Sequence, residues 1–171
     1  MSSFKKKILN GQTYDMAHLN SHTMQVTHGA ATYNVGVEYS CHCFTREFKP
    51  GDSLDLIYKH GNETRAFDVN RFNLSAQLTG YIQDLHNHDI YHDDRDTFLV
   101  IRLNGGDYAV FMRIHKATKN KHHDVILRVK TAHLRNNFFI SKPAYRFTRV
   151  VHLTANGRGL PKQNKSKIIR I

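Results

Sequence analysis

The chain has 171 residues, of which 40% are hydrophobic and 23% charged, values typical of one globular domain and not of a disordered or membrane protein. No apolar run reaches the roughly 18 residues of a spanning helix, and the basic start is not followed by the apolar segment of a secretory signal. The two cysteines, Cys41 and Cys43, are too close in sequence for an ordinary disulfide. We therefore expect a cytoplasmic protein with no membrane partner.

Charge is distributed very unevenly along the sequence. Lysine and arginine number 25 against 14 acidic residues, and Asp124 is the last acidic residue. The eleven basic residues after it account for the whole net charge of +11. Because a field of one sign repels itself, a polyanion such as nucleic acid is the expected partner. The candidate nucleic-acid-binding residues are Arg128, Arg135, Lys142, Arg146 and Arg149.

Alternating apolar residues predict strands through most of the chain. The residues 73–86, NLSAQLTGYIQDLH, are the exception, because their apolar side chains recur at helical spacing behind Asn73, a suitable N-cap. The predicted strands cover residues 24–28, 31–44, 54–58, 64–67, 97–103, 108–115, 124–134 and 145–153.

These elements predict an α+β fold, an antiparallel sheet with one main helix packed across it. We expect a single domain over residues 1–153. Residues 154–171 are polar, basic and glycine-bearing, and they predict a flexible basic tail.

The first cluster that could support catalysis lies at the end of a predicted strand in the basic region. Alternation places Thr131 and His133 on one face and Lys130 on the other. Histidine exchanges a proton near neutral pH, and lysine stabilises charge on a phosphoryl group. RNA cleavage needs little more than a base, an acid and cations, with no metal.

The same strand, Val-Lys-Thr-Ala-His, resembles the last conserved strand of the barnase–EndoU–colicin–RelE-type ribonuclease toxins, and the resemblance covers about residues 73–134. It implies a metal-independent endoribonuclease without a cofactor, with Thr131 and His133 in the active site and Lys130 as a phosphate contact. It also implies an acidic antitoxin protein as a partner. Residues 1–58 do not match that fold.

The second cluster is Ser40-Cys41-His42-Cys43-Phe44-Thr45-Arg46. Adjacent strand residues point to opposite faces, which disfavours a Cys–His nucleophile pair and favours both cysteines as core residues. His42 and Arg46 lie off that face and could join the cleft of His133. His42 or His115 would then be the second proton carrier, and Arg46 or Arg128 would stabilise phosphate.

The sequence also allows two other functional hypotheses. The residues 86–96 hold three histidines and several carboxylates, which allows a metal-dependent enzyme, although a solvated loop is the simpler reading. A non-catalytic nucleic-acid-binding or regulatory protein is the other alternative. Four rings interleave with the basic residues and could stack on bases or fill the core: Phe138, Phe139, Tyr145 and Phe147.

Overall fold

The computed structural model describes residues 4–92, 97–103, 106–118, 122–135 and 144–160. The strands are β1 Lys7–Leu9, β2 Gln12–Tyr14, β3 His22–His28, β4 Ala31–Tyr39, β5 Thr45–Arg46, β6 Ile57–His60, β7 Glu63–Phe67, β8 Asp89–His92, β9 Thr97–Leu103, β10 Gly106–Lys116, β11 Val125–Arg135 and β12 Ala144–Arg146. The α-helices are α1 Val69–Ser75, α2 Leu78–Gln83 and α3 Phe147–Ala155, and short 3₁₀ turns cover Ala17–Leu19, Cys41–Cys43, Leu54–Leu56 and Asp84–Asn87.

The main sheet has seven strands in the order β12-β8-β9-β10-β11-β4-β3. All of its neighbouring pairs are antiparallel except β4 and β11, which run parallel. A three-stranded sheet, β5-β7-β6, and the β1–β2 hairpin complete the strand pairing described. The α+β class is therefore confirmed, with a mixed main sheet. No helix in the described part of the chain is both long and apolar enough to cross a lipid bilayer.

The prediction of one main helix was wrong, because the described residues contain three. The segment expected to be continuous is divided into α1 and α2, and α1 begins earlier, behind the N-cap Asp68, whose carboxylate accepts the Arg71 amide at 3.0 Å. The Oγ of Ser75 donates to the Phe72 carbonyl at 2.7 Å, a side-chain bond that competes with the helical ladder. The first helix ends at this residue, and the second begins at Leu78.

The predicted strand over residues 145–153 was also wrong, since α3 occupies most of it. Phe147, Val150 and Val151 are all buried, and their spacing forms one helical face. Packing of that face overrides the strand preference of the β-branched residues. The helix continues past residue 153, and Leu160 still packs against the core. Residues 161–171 of the expected tail lie outside the described residues.

The predicted strand over residues 31–44 ends earlier than expected, at Tyr39. Ser40 then caps the 3₁₀ turn Cys41–Cys43, because its hydroxyl oxygen accepts the His42 amide at 3.1 Å. Both cysteines are buried, at 2% and 0% exposure, and both are free thiols. Their assignment to the core is confirmed, although a turn and not a strand places them there.

The parallel pairing of β4 with β11 aligns Val35 with Val125 and Tyr39 with Val129. Along this pair the backbone of Gly36 is in close contact with neighbouring side chains. A Cβ at this position would lie 2.9 Å from His123 Nδ1 and 3.0 Å from Ile126 Cδ1. The absence of a side chain at residue 36 therefore allows the close packing beside the parallel pair.

We predict opposite effects for two glycine substitutions. Gly36→Ala should lower the free energy of unfolding by about 1–2 kcal/mol, because the new methyl overpacks this contact. Gly80→Ala, on α2 with nothing within 4 Å of the new Cβ, should raise it by up to about 1 kcal/mol through helix propensity. Urea denaturation of both variants checks the pair, and equal effects would contradict the packing assigned to Gly36.

Candidate functional site

A cleft of about 280 Å³ lies where the end of β4 meets β10 and β11. Its lining residues combine one imidazole, one carboxylate, one hydroxyl and three cations: His42, Glu63, Ser40, Arg113, Arg128 and Lys130. Arg113 comes from β10 and the other two cations from β11, whereas Ser40 and His42 belong to the turn after β4 and Glu63 begins β7. The cleft therefore combines segments that are far apart in the sequence.

The turn that carries His42 is anchored to β11 and to α1. The Ser40 amide donates to the Val129 carbonyl at 3.0 Å. The His42 carbonyl accepts from Thr131 Oγ1 and from Arg71, each at 3.4 Å, and Arg71 also donates to the Thr45 carbonyl at 2.8 Å. These bonds fix the backbone of the turn, so the His42 ring has a defined position at the cleft wall.

His42 and Glu63 form a hydrogen-bonded pair, with 2.7 Å between Nε2 and Oε2. This bond is the main reason that the pKa of Glu63 lies below its ordinary value. The two side chains are 33% and 54% exposed, so a ligand in the cleft has access to both. A carboxylate held against an imidazole orients the ring.

Arg113 and Arg128 lie directly opposite each other on β10 and β11, a cross-strand pairing of like charges that destabilises a sheet. Neither guanidinium forms an ion pair with any described residue. Arg128 forms none even with Glu38, its neighbour in register on β4. Lys130 lies at a register shift of β11 opposite Phe111 and Met112. Positive charge is thus concentrated where β10 and β11 line the cleft.

Thr131 and His133 lie beside this cleft and are bonded to each other, with 3.5 Å between Oγ1 and Nδ1. Arg135 donates from Nε to His133 Nε2 at 3.1 Å. Burial, together with the charges of Arg71 and Arg135, lowers the pKa of His133 to about 4. At neutral pH this ring is uncharged, and both of its nitrogens have partners.

Aromatic rings form a row across four strands next to His133. Tyr91 stacks on Phe98 at 5.5 Å between centroids, Phe98 lies 5.6 Å from Phe111, and Phe111 stacks on His133 at 6.0 Å. The Arg135 guanidinium covers Phe111 at 4.9 Å. These are not the rings expected from sequence: Tyr145 and Phe147 are buried in the core, and Phe138 and Phe139 lie outside the described residues.

Two other predicted site residues are placed differently. Arg46 forms a bidentate pair with Asp52, with both bonds at 2.7 Å, and it does not line this cleft. His115 pairs with Ile126, whereas His133 pairs with Ala109. His115 is therefore six residues along β10 from the position opposite His133, or roughly 20 Å.

The predicted nucleic-acid contacts divide into two groups. Arg128 lines the cleft, and Arg135 lies next to it against His133 and Phe111. Arg146 is on β12, four strand positions away, where it donates to the Asn87 carbonyl at 2.9 Å and lies 3.7 Å from Asp89. Arg149 is exposed on α3. Lys142 is outside the described residues.

The loop over residues 86–96 is described only as far as His92. His88 bonds to Asp84 at 2.8 Å, and His86 to the Gln83 carbonyl at 3.0 Å. Within the described ranges, three potential ligand atoms close enough to share one metal ion occur only at Cys41, His42 and Glu63. Burial raises the pKa of the Cys41 thiol. The hypothesis of a metal site in the histidine-rich loop thus has no support from the described residues of that loop.

Glu63 and Arg113 are the two cleft residues that the sequence did not single out. Glu63 follows the Gly61-Asn62 turn, just before the predicted strand over residues 64–67, and Arg113 is an ordinary polar position of an alternating strand. Neither has a motif around it. The available signal is weak, because the pairing of Arg113 with Arg128 can be recognised only when the register of β10 and β11 is known.

The sequence profile of the YjaZ family matches residues 5–155. The chain belongs to the YjaZ family. The match covers the main sheet, the cleft and all of α3, so the site lies within the part shared with this family. No curated protein and no solved structure matches this YjaZ-family chain.

We predict that His133 makes the stability of the YjaZ-family chain sensitive to acid. Because its pKa is about 4 in the folded chain and about 6.5 when unfolded, the unfolded chain binds more protons between these values. Stability is therefore full above pH 6.5 and falls as the pH drops toward 4, by about 2 kcal/mol for a half-buried ring.

Urea denaturation at pH 7 and pH 4.5 measures this loss. His133→Gln keeps a hydrogen-bonding side chain without a titratable group, so it should lose less stability over the interval than the wild type. An equal loss in the two proteins would contradict the environment assigned to His133.

Proposed function

We propose that the protein binds RNA through the cationic cleft and cleaves it without a metal, with His42 as the group that transfers protons. The observation that carries this proposal is the convergence of the His42–Glu63 pair with Arg113, Arg128 and Lys130 on one cleft. Cleavage of an RNA phosphodiester needs removal of the 2′-hydroxyl proton, protonation of the leaving oxygen and stabilisation of negative charge on the phosphate.

The like-charge pair of Arg113 and Arg128 supports an anionic ligand. Two opposed guanidiniums destabilise the sheet when the cleft is empty, and a phosphate between them would relieve this repulsion. Arginine forks match the geometry of phosphate oxygens, and Lys130 adds a third charge. This surface suits a nucleic-acid backbone better than an uncharged substrate.

In this proposal Glu63 orients His42, and Thr131 positions the turn through its bond to the His42 carbonyl. His133 has both nitrogens engaged and a pKa of about 4, so we assign it a positioning role beside Arg135. The sequence instead favours His133 as the acid or base, and that assignment stays a prediction. Loss of activity in His42→Asn supports the first assignment, and loss in His133→Gln alone supports the second.

One observation favours a second candidate, a protein that binds nucleic acid without cutting it. The described lining of the cleft contains a single imidazole, whereas acid–base cleavage needs two proton carriers, so Lys130 would have to be the second. A binding protein needs only the cations. Intact RNA after long incubation with tightly bound protein would favour this candidate.

The proposed setting is the cytoplasm, because both thiols are free and a reducing compartment keeps them so. An acidic antitoxin protein would find complementary charge in the same cleft. Such a partner would compete with RNA for Arg113 and Arg128.

We predict that His42→Asn lowers the rate of RNA cleavage by about 10²–10⁴-fold, the range for loss of a general acid or base. Cleavage of a labelled RNA with a chelator present measures the rate. His86→Asn is the matched control, because His86 is an exposed histidine that does not line the cleft, and it should cleave like the wild type. A His133→Gln variant that loses activity while His42→Asn retains it would reverse the roles assigned here.

We also predict that Arg128→Gln weakens RNA binding and lowers the slope of log affinity against log salt by about 1, because one phosphate contact is lost. Fluorescence anisotropy across a salt series gives the slope. Arg158→Gln removes an exposed arginine outside the lining of this cleft and should leave the slope unchanged. Equal slopes for both variants would show that the cleft does not contact phosphate.

A further inference from the structure

Three different ligand atoms meet at the edge of the cleft. Cys41 Sγ, His42 Nε2 and a carboxylate oxygen of Glu63 all lie within 4.8 Å of one another. Glu63 Oε2 is 2.7 Å from His42 Nε2 and 3.8 Å from Cys41 Sγ. A thiolate, an imidazole and a carboxylate are the ligand types that zinc prefers, at about 2.0–2.3 Å from the ion.

The 3₁₀ turn makes this convergence possible. In an extended strand Cys41 and His42 would point to opposite faces. The Ser40 cap and the bond from Thr45 Oγ1 to the Cys41 carbonyl, at 2.7 Å, hold the turn. Both side chains then reach Glu63, whose β7 strand is paired with β5 directly after the turn.

The separations of Glu63 Oε2 from the other two ligand atoms need only a small adjustment for an ion. Bond lengths of about 2.0–2.3 Å and tetrahedral angles place neighbouring ligand atoms roughly 3.3–3.7 Å apart. Sγ and Oε2 are already near this separation, and the hydrogen-bonded pair must open by several tenths of an ångström. Glu63 is half-exposed and begins its strand, so its side chain can make this movement.

The charges of the site also suit a divalent cation. The thiolate and the carboxylate neutralise the two charges of the ion, so the loaded site carries no net charge beside Arg113, Arg128 and Lys130. The three protein ligands leave a fourth position, and the cationic cleft favours an anion or hydroxide there. Binding deprotonates the Cys41 thiol, and the proton passes to the solvent.

We propose that Cys41, His42 and Glu63 form a zinc site with three protein ligands and a fourth position open to the cleft. The consequence for catalysis rests on the proposed function: zinc and proton transfer both require His42 Nε2, so they exclude each other. Zinc then acts as a reversible inhibitor of the same site, and a chelator restores cleavage.

Titration of the reduced full-length chain with Co²⁺ tests the site without RNA. The wild type should bind one equivalent with the near-ultraviolet absorption of a cobalt–thiolate bond, and Zn²⁺ should displace it. Cys41→Ala should abolish this absorption, whereas Cys43→Ala, which removes the other buried thiol, should retain it. The thiolate band distinguishes this site from adventitious binding by the histidines of the chain.

Glu63→Gln provides a second variant that does not depend on a buried side chain. Loss of an outer-shell partner of a metal weakens binding by up to about 100-fold. Because Glu63 is a direct ligand, Glu63→Gln should weaken Co²⁺ binding by more than this, while its circular dichroism spectrum stays that of the wild type. Absence of the thiolate band in the wild type, its survival in Cys41→Ala, or unchanged affinity in Glu63→Gln would overturn the site.

The two proposals fail separately. A cobalt–thiolate band in a protein that does not cleave RNA would support the zinc site and overturn only the cleavage function. Cleavage that continues at full rate with the site filled by zinc would overturn the shared use of His42 Nε2.

Discussion

The parallel pairing of β4 with β11 is the constraint on which the site depends. Five residue pairs in register, from Val35–Val125 to Tyr39–Val129, hold the two strands together, and the Ser40 amide extends the ladder by one bond to Val129. Val35, Gly36, Val37 and Tyr39 of β4 are buried at this interface, whereas Glu38 is exposed. Because both strands run in the same direction, the turn after β4 emerges beside Lys130 and Thr131 of β11.

This arrangement explains why the cleft is built from separate parts of the chain. β10 and β11 supply cations from one antiparallel hairpin, while the turn after β4 and the start of β7 supply the imidazole and the carboxylate. The hydrogen bond from Thr131 to the His42 carbonyl connects the two parts, and Arg71 of α1 donates to the same carbonyl. The His42 carbonyl is thereby satisfied by side chains instead of by a continuous ladder.

Two arginines of the cleft have no acidic partner among the described residues, unlike some other arginines of the chain. Asp52 neutralises Arg46, and Asp89 lies near Arg146, but Arg113 and Arg128 oppose each other without an ion pair in the described structure. His133, by contrast, is neutral beside Arg71 and Arg135, because burial and both cations oppose its protonation. The two histidines near the cleft therefore differ in chemistry: His42 is held by a carboxylate, and His133 is held by cations.

Local alternation and composition were enough to predict the α+β class, the strands β3, β4, β7, β9, β10 and β11, the burial of both cysteines and the concentration of charge after Asp124. The sequence also marked His42, Arg128 and Lys130. The folded structure added that Glu63 and Arg113 join them, that His115 and Arg146 lie elsewhere, and that residues 147–155 are helical. The physical reason is that strand order, register and one 3₁₀ turn depend on contacts between distant segments, which local patterns do not encode.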